Sequence, residues 1–306
     1  MQTLLRYLLF ATVATTALQA VANVDPEYRQ VSDSINLDIE QIAEETNHVW
    51  VVAEITPDRN NISATIPGAY VKAETGEMVI PPGAQMVILS KGSCRLITSL
   101  ARTPAKETLS YEWRINYFHS RNPEDKSPSA FRSGGFVLAR INEQKEGAEE
   151  FGPVYLIPAE WKDFPAPAVE YYRKYADLFQ PKSVSEHRAA LWRLLEAENP
   201  FIAIIACRVL AETGNLDQGF IEGPLARARG VRQGAFTFLY LEHLQTEAKD
   251  QAIQKFGEVI AQTTEPDGFD GITVGARLAL SRSSMRHLGM RLLQLLEQKR
   301  ESVKTE

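Results

Sequence analysis

The stretch DFPAPAV, Asp163–Val169, separates two kinds of hydrophobic pattern. Upstream of it the apolar residues alternate with a period of two, and downstream they recur every three to four residues, so strands give way to helices. Each of its prolines disfavours helix in the residue before it, which predicts a hinge between the two parts.

From about Asn47 to Phe164 the segments HVWVVAEIT, QMVILSKG, CRLITSL, SYEWRINYF, GGFVLARI and PVYLIPAEW are short and rich in β-branched and aromatic residues. Glycine, proline, asparagine or serine bounds each of them. In SYEWRINYF, Trp113, Ile115 and Tyr117 share one parity while Glu112, Arg114 and Asn116 share the other, the pattern of a strand with one apolar face. A small antiparallel barrel or sandwich is expected over residues 47–164. Before it, Glu27–Thr46 carries a weak helical pattern in Val31, Ile35, Ile39 and Ile42, suited to covering a sheet edge.

Residues 165–306 read as helices. Ser183 with Glu186 offers a capping box for the first, Asn199 with Pro200 opens NPFIAIIACRVLAET, and Gly214 stops it. GVRQGAFTFLYLEHL, a segment capped by Thr246, ITVGARLAL and SSMRHLGMRLLQLLEQKR follow, arranged as successive helical pairs. The predicted fold class is therefore α+β in two domains, strands first and an all-α hairpin array second.

Composition supports this division. The chain has 306 residues, 44% apolar and 24% charged, enough material for two cores. A formal charge of −6 argues against a dedicated nucleic-acid binder, which needs a basic surplus to displace counterions from phosphates. The opening residues MQTLLRYLLFATVATTALQAVA, 1–22, have one cation, an apolar run and a small-x-small close at Ala20 and Ala22, the form of a cleavable export signal. No cysteine adjoins that junction to carry a lipid, and charges interrupt every later apolar window. The expectation is a soluble periplasmic or extracellular protein without stable membrane insertion.

Candidate chemistry is sparse. Cys94 and Cys207 are the only cysteines, a candidate disulfide between the two domains in an oxidising compartment. Cys94 can be paired with His119 as a nucleophile and base, with Asn116 or Asp163 orienting the ring, but KGSCRLI has no catalytic context. The five histidines stand singly and EPDGFDG, Glu265–Gly271, lacks the ligand spacing of a calcium loop, so neither metal nor cofactor is expected. Phosphate-loop, dinucleotide and serine-elbow motifs do not occur. Charge offers a better lead, since Arg227, Arg229, Arg232, Arg277, Arg282 and Arg286, with Arg291 beyond, form a candidate surface for anions or an acidic protein partner. YYRKY, Tyr171–Tyr175, adds aromatics and cations near the junction.

Two resemblances shape the expectation. VWVVAEIT, PPGAQMVIL and GGFVLARI resemble OB-like, netrin-type modules of secreted proteins, although the cysteines that fix animal members are missing. Val231, Arg232 and Ala235 correspond to Met285, Arg286 and Gly289, each before an apolar run, and over Ser183–Arg300 this resembles HEAT or armadillo repeats. The OB likeness implies a small barrel and the repeat likeness an extended association surface. Together these readings favour an exported, non-enzymatic scaffold of a bacterial envelope. An enzyme using the strand domain, or a module binding a small molecule or glycan, is the alternative.

Overall fold

The computed structural model describes residues 26–45, 48–57, 63–65, 70–71, 78–79, 85–100, 107–118, 135–143, 149–180, 184–244, 248–263 and 268–305. The architecture is α+β. One unit is built on Asn47–Ala159 and the other comprises Gln30–Thr46 with Glu160–Glu306. The expected signal segment lies outside the described residues.

The strand unit contains β1 (Val49–Pro57), β2 (Ser63–Thr65), β3 (Tyr70–Val71), β4 (Met78–Val79), β5 (Gln85–Ser99), β6 (Thr108–Phe118), β7 (Gly135–Glu143) and β8 (Glu149–Ile157). β1 pairs antiparallel with both β5 and β7, β7 with β8, and β5 with β6, while a single parallel pairing joins β6 to β8. β2 adds to the first part of β5, and β3 and β4 form a separate small pair. The segments QMVILSKG and CRLITSL are one 15-residue strand rather than two. Gly92 does not break it, because that residue is paired on both sides, with Pro57 and with Tyr111.

The inner face gathers Val49, Val51, Ala53 and Ile55 of β1, Cys94 of β5, Leu109 and Tyr111 of β6, and Val137, Ala139 and Ile141 of β7. That is the odd parity of β1 and β7, as alternation requires. Trp50, Val52 and Leu138 on the other parity are buried as well, which accounts for the nearly continuous apolar run in β1. Register shifts leave Ile97 as an extra residue on β5 and Val154 as one on β8. Such bulges bend a strand and raise its twist, and the second one sits beside Pro153, which has no N–H to donate to a ladder. Trp113, Ile115 and Tyr117 stand opposite Ser90, Ile88 and Met86, with their side chains outside the described set.

The helical unit takes in most of α1 (Pro26–Asn36), then α2 (Ile39–Glu44), α3 (Pro165–Tyr175), α4 (Val184–Leu194), α5 (Pro200–Glu212), a short α6 (Gln218–Phe220) continued by a π-helical turn Ile221–Leu225, α7 (Gly230–Glu242), α8 (Lys249–Gln262), α9 (Asp270–Ser281) and α10 (Arg286–Thr305). Three expectations change here. DFPAPAV is the entry to α3 rather than a hinge: Pro165 starts the helix, where its missing N–H has no intrahelical acceptor to lose. Trp161 is buried edge-on against Phe201 at 5.4 Å, so the residues after Ala159 belong with the helices. The segment expected to cover a sheet edge also packs within the helical unit, where α2 lies on α3 and the Arg173 Nε donates to the Ala43 carbonyl at 3.2 Å.

Asn199 caps α5 as the sequence suggests, accepting from the Phe201 and Ile202 amides at 3.0 and 3.3 Å. Gly214, at φ 66°, ends it. The capping residues proposed for α4 and α8, Ser183 and Thr246, lie outside the described residues. Along the unit α5 packs on α7, α7 on α9 and α9 on α10, while the π-helical turn packs on α8 and α8 on α10. Glycines set the closest of these approaches. A β-carbon at Gly275 of α9 would lie 2.6 Å from the Gly234 carbonyl oxygen of α7, and one at Gly289 of α10 would lie 2.6 Å from that of Ala276. Real β-carbons do not come so near, so only glycine permits these backbone contacts. The small residues of α7 thus meet α9, and Gly289 of α10 meets Ala276 of α9. Aromatic contacts complete the core: Phe220 tilts on Phe236 at 5.4 Å and stacks on Tyr240 at 5.6 Å, and Tyr240 meets Phe256 at 6.1 Å.

Candidate functional site

The predicted arginine surface is distributed over two places. Arg227 pairs with Glu196, and the Arg232 Nη2 donates to the Glu198 carbonyl at 3.1 Å, so both lean on the turn between α4 and α5. Arg229 donates to the Ala226 and Ala228 carbonyls at 2.8 and 2.9 Å and borders a cleft of about 390 Å³ with Glu222 and Glu258. Lys255 bridges those two carboxylates at 2.7 and 2.9 Å, and its hydrogen bonds to them raise its pKa.

The second group occupies the corner between α9 and α10. The Arg282 Nε lies 4.0 Å from Glu242, and the Arg286 Nε donates to the Leu280 carbonyl at 3.3 Å. Arg277 is exposed on α9, and Arg291 pairs with Asp250 of α8. Arg232 and Glu242 stand at opposite ends of α7, about 15 Å apart at about 1.5 Å per residue. One helix length thus separates the two groups. Surface pairs of this kind contribute about 0 to 1 kcal/mol each, so a competing carboxylate can displace them at little cost.

Sequence reasoning passed over Arg208. Burial lowers its pKa against the opposing influence of Glu212, Asp38 and Glu242, and its Nη2 meets no hydrogen-bond partner among the described residues.

Both cysteines are free thiols, and each is buried in its own unit. The Cys94 Sγ contacts the Leu109 carbonyl at 3.3 Å, and burial pushes its pKa up to about 11. Burial drives Cys207 further in the same direction. Neither setting favours the thiolate that a nucleophile requires. His119, the base nominated for Cys94, lies outside the described residues. Among the described residues no group of three histidine, cysteine, aspartate or glutamate side chains is gathered for a metal, and no helix is long and apolar enough to cross a membrane. From EPDGFDG, Gly268 accepts from the Gln233 Nε2 at 2.9 Å and Asp270 pairs with Arg300 at 3.2 Å as α9 begins. YYRKY packs on Phe179, with Tyr172 stacked on it at 5.2 Å and Tyr171 edge-on at 6.3 Å.

A second cleft, of about 630 Å³, lies in the helical unit and was not foreseen. Its walls come from the C-terminal ends of α5 and α7 and from the start of α6, and they include Ala211, Leu216, Asp217, Tyr240, His243 and Leu244. The Asp217 Oδ1 accepts from the Gly219 amide at 2.9 Å while its Oδ2 lies 3.4 Å from the Arg188 Nη2. Tyr240 is almost fully buried, and burial followed by the Asp217 charge raises its pKa, so the phenol keeps its proton. The stop at Gly214 followed by a capping aspartate three residues later was the available signal. It specified a turn, and nothing in it specified what faces the turn.

Compared with protein-family models, with curated proteins and with solved structures, the chain matches none of them.

Proposed function

We propose that this protein is exported and acts without catalysis, as an association partner that uses its helical unit to hold an acidic protein. Export rests on the opening segment, whose cation, apolar run and small-residue close have the form of a cleavable signal. Residues 1–22 are then removed, and the remainder works in the periplasm or outside the cell.

The carrying observation is the basic corner of α9 and α10. From Gly271 to Leu296 the chain has four arginines and no acidic residue. Arg282 and Arg286 flank the turn between α9 and α10, while Met290, 52% exposed, lies one helical turn beyond Arg286. Guanidinium groups offer forked donors to carboxylates, and a neighbouring thioether gives an adaptable apolar contact. A net-acidic chain that keeps such a local surplus is suited to an acidic protein rather than to nucleic acid.

The architecture supports this reading. Pairings that run from β1 through β5, β6, β8 and β7 back to β1 favour a closed five-stranded barrel of the OB type. The helix contacts favour a HEAT-like double layer, with α5, α7 and α9 in one layer and the π-helical turn, α8 and α10 in the other.

The test is capture by the tagged full-length chain from an envelope extract, in parallel with an Arg282→Glu/Arg286→Glu double variant. The expected result is an acidic partner that is lost with the variant and released by raising salt. Equal capture by both proteins, or robust turnover by the purified chain, overturns the proposal.

A further inference from the structure

We propose that the 630 Å³ cleft at the ends of α5 and α7 is a binding site for a small organic ammonium ion with a short apolar body. Three features converge there. Ala211 and Gly214 belong to the C-terminal end of α5, and Tyr240, His243 and Leu244 to that of α7. Helix C-termini carry partial negative charge and favour cations. Two of them therefore act on the same cleft.

Asp217 supplies the full charge. Its carboxylate is 61% exposed on the side-chain scale and is held in place by the Gly219 amide, so it is oriented without being used up. Arg188 is the cation already beside Asp217, its Nη2 3.4 Å from both that carboxylate and the Asn215 carbonyl. Those contacts are long and single, not the forked pair that guanidinium makes with a fully engaged carboxylate. A ligand ammonium can share Asp217 with it.

The remaining wall gives the ligand its shape. Ala211, Leu216, Leu244 and Ala248 are apolar, and Gln218 offers an amide whose Nε2 is tied to the Gln251 Oε1 at 2.9 Å. The Tyr240 ring, fixed by stacking on Phe220, gives the wall a rigid aromatic element. Volume, apolar walls and a few fixed polar groups are the ordinary attributes of a small-molecule site. Asp217 and the two helix C-termini set the ligand class, since each favours a cation.

The experiment is titration of the full-length chain with 2-phenylethylammonium, with 3-phenylpropionate as a control of similar length and opposite charge. Saturable binding of the ammonium and none of the carboxylate is expected. Asp217→Asn keeps the capping oxygen and should weaken binding about tenfold. Arg188→Gln removes the competing cation and should tighten it about threefold. Absence of ammonium binding, equal binding of the anion, or insensitivity to Asp217→Asn overturns the proposal. None of these outcomes depends on Arg282 or Arg286, so failure here leaves the association proposal standing, and the converse also holds.

Discussion

The strand unit and the helical unit bring their layers together by different means. In the strand unit, packing follows from alternation: Val49, Val51, Ala53 and Ile55 face inward because successive residues of a strand point to opposite sides. The bends are made by single extra residues, Ile97 and Val154, without removing side chains. In the helical unit the closest approaches are made by leaving side chains out, at Gly234, Gly271, Gly275 and Gly289. A strand core tolerates exchange of like for like. A glycine seam does not, because the neighbour that Gly271, Gly275 and Gly289 meet is a backbone carbonyl that has nowhere to go.

Each unit holds one buried cysteine, so thiol modification reports on the two separately. The largest effect is expected from Phe220→Ala, which removes the ring joining Trp192, Phe236 and Tyr240. It should cost about 3 to 5 kcal/mol in urea unfolding. Cys207 should then be modified faster by a thiol reagent, with little change at Cys94. If both thiols accelerate together, the two units unfold as one and the comparison fails.

Gly275→Ala should follow at about 1 to 3 kcal/mol, since its β-carbon would sit against the Gly234 carbonyl and the Thr237 side chain. A neutral outcome in thermal unfolding would mean that α7 and α9 are not packed through backbone.

The cysteines also predict how stability depends on pH. Cys94 rises from 9.0 to about 11 on folding and Cys207 shifts the same way, so the native state retains protons that the unfolded chain releases. Stability should be unaffected by these groups below about pH 9. Between pH 9 and 11 it should fall by about 1.4 kcal/mol per pH unit for Cys94. Cys94→Ala should reduce that slope, as measured by urea unfolding at pH 8 and pH 10.

The smallest effect has the opposite sign. Gly257 lies inside α8, and a β-carbon there would be 3.7 Å from Leu295, an ordinary contact. Gly257→Ala should stabilise the helical unit by about 0.5 to 1 kcal/mol through helix propensity alone. Destabilisation would show that this glycine also belongs to a close seam.

Much of the fold was legible because its signals are local. Asn199, Pro200 and Gly214 delimit α5 by satisfying or avoiding backbone hydrogen bonds within a few residues of themselves. Trp113, Ile115 and Tyr117 announce a strand by alternation alone. The misreadings arose where one local signal fits two structures. Proline breaks a helix and also begins one, so DFPAPAV looked like a hinge when Pro165 opens α3. QMVILSKG and CRLITSL read as two strands, yet pairing of Gly92 on both sides carries β5 through the join. The candidate arginines are a charge feature of the sequence. Their division into two groups depends on which helix ends meet, and composition does not encode that.

By itself the sequence determined the α+β order, the two ends of α5, and the supply of arginines, because periodicity, caps and charge are properties of neighbouring residues. Tertiary structure alone decided the rest. It made β1 a neighbour of both β5 and β7, placed Gly275 against Gly234, and turned the ends of α5 and α7 into one cleft. These are contacts between residues distant in the chain, and they are selected by how well whole surfaces pack.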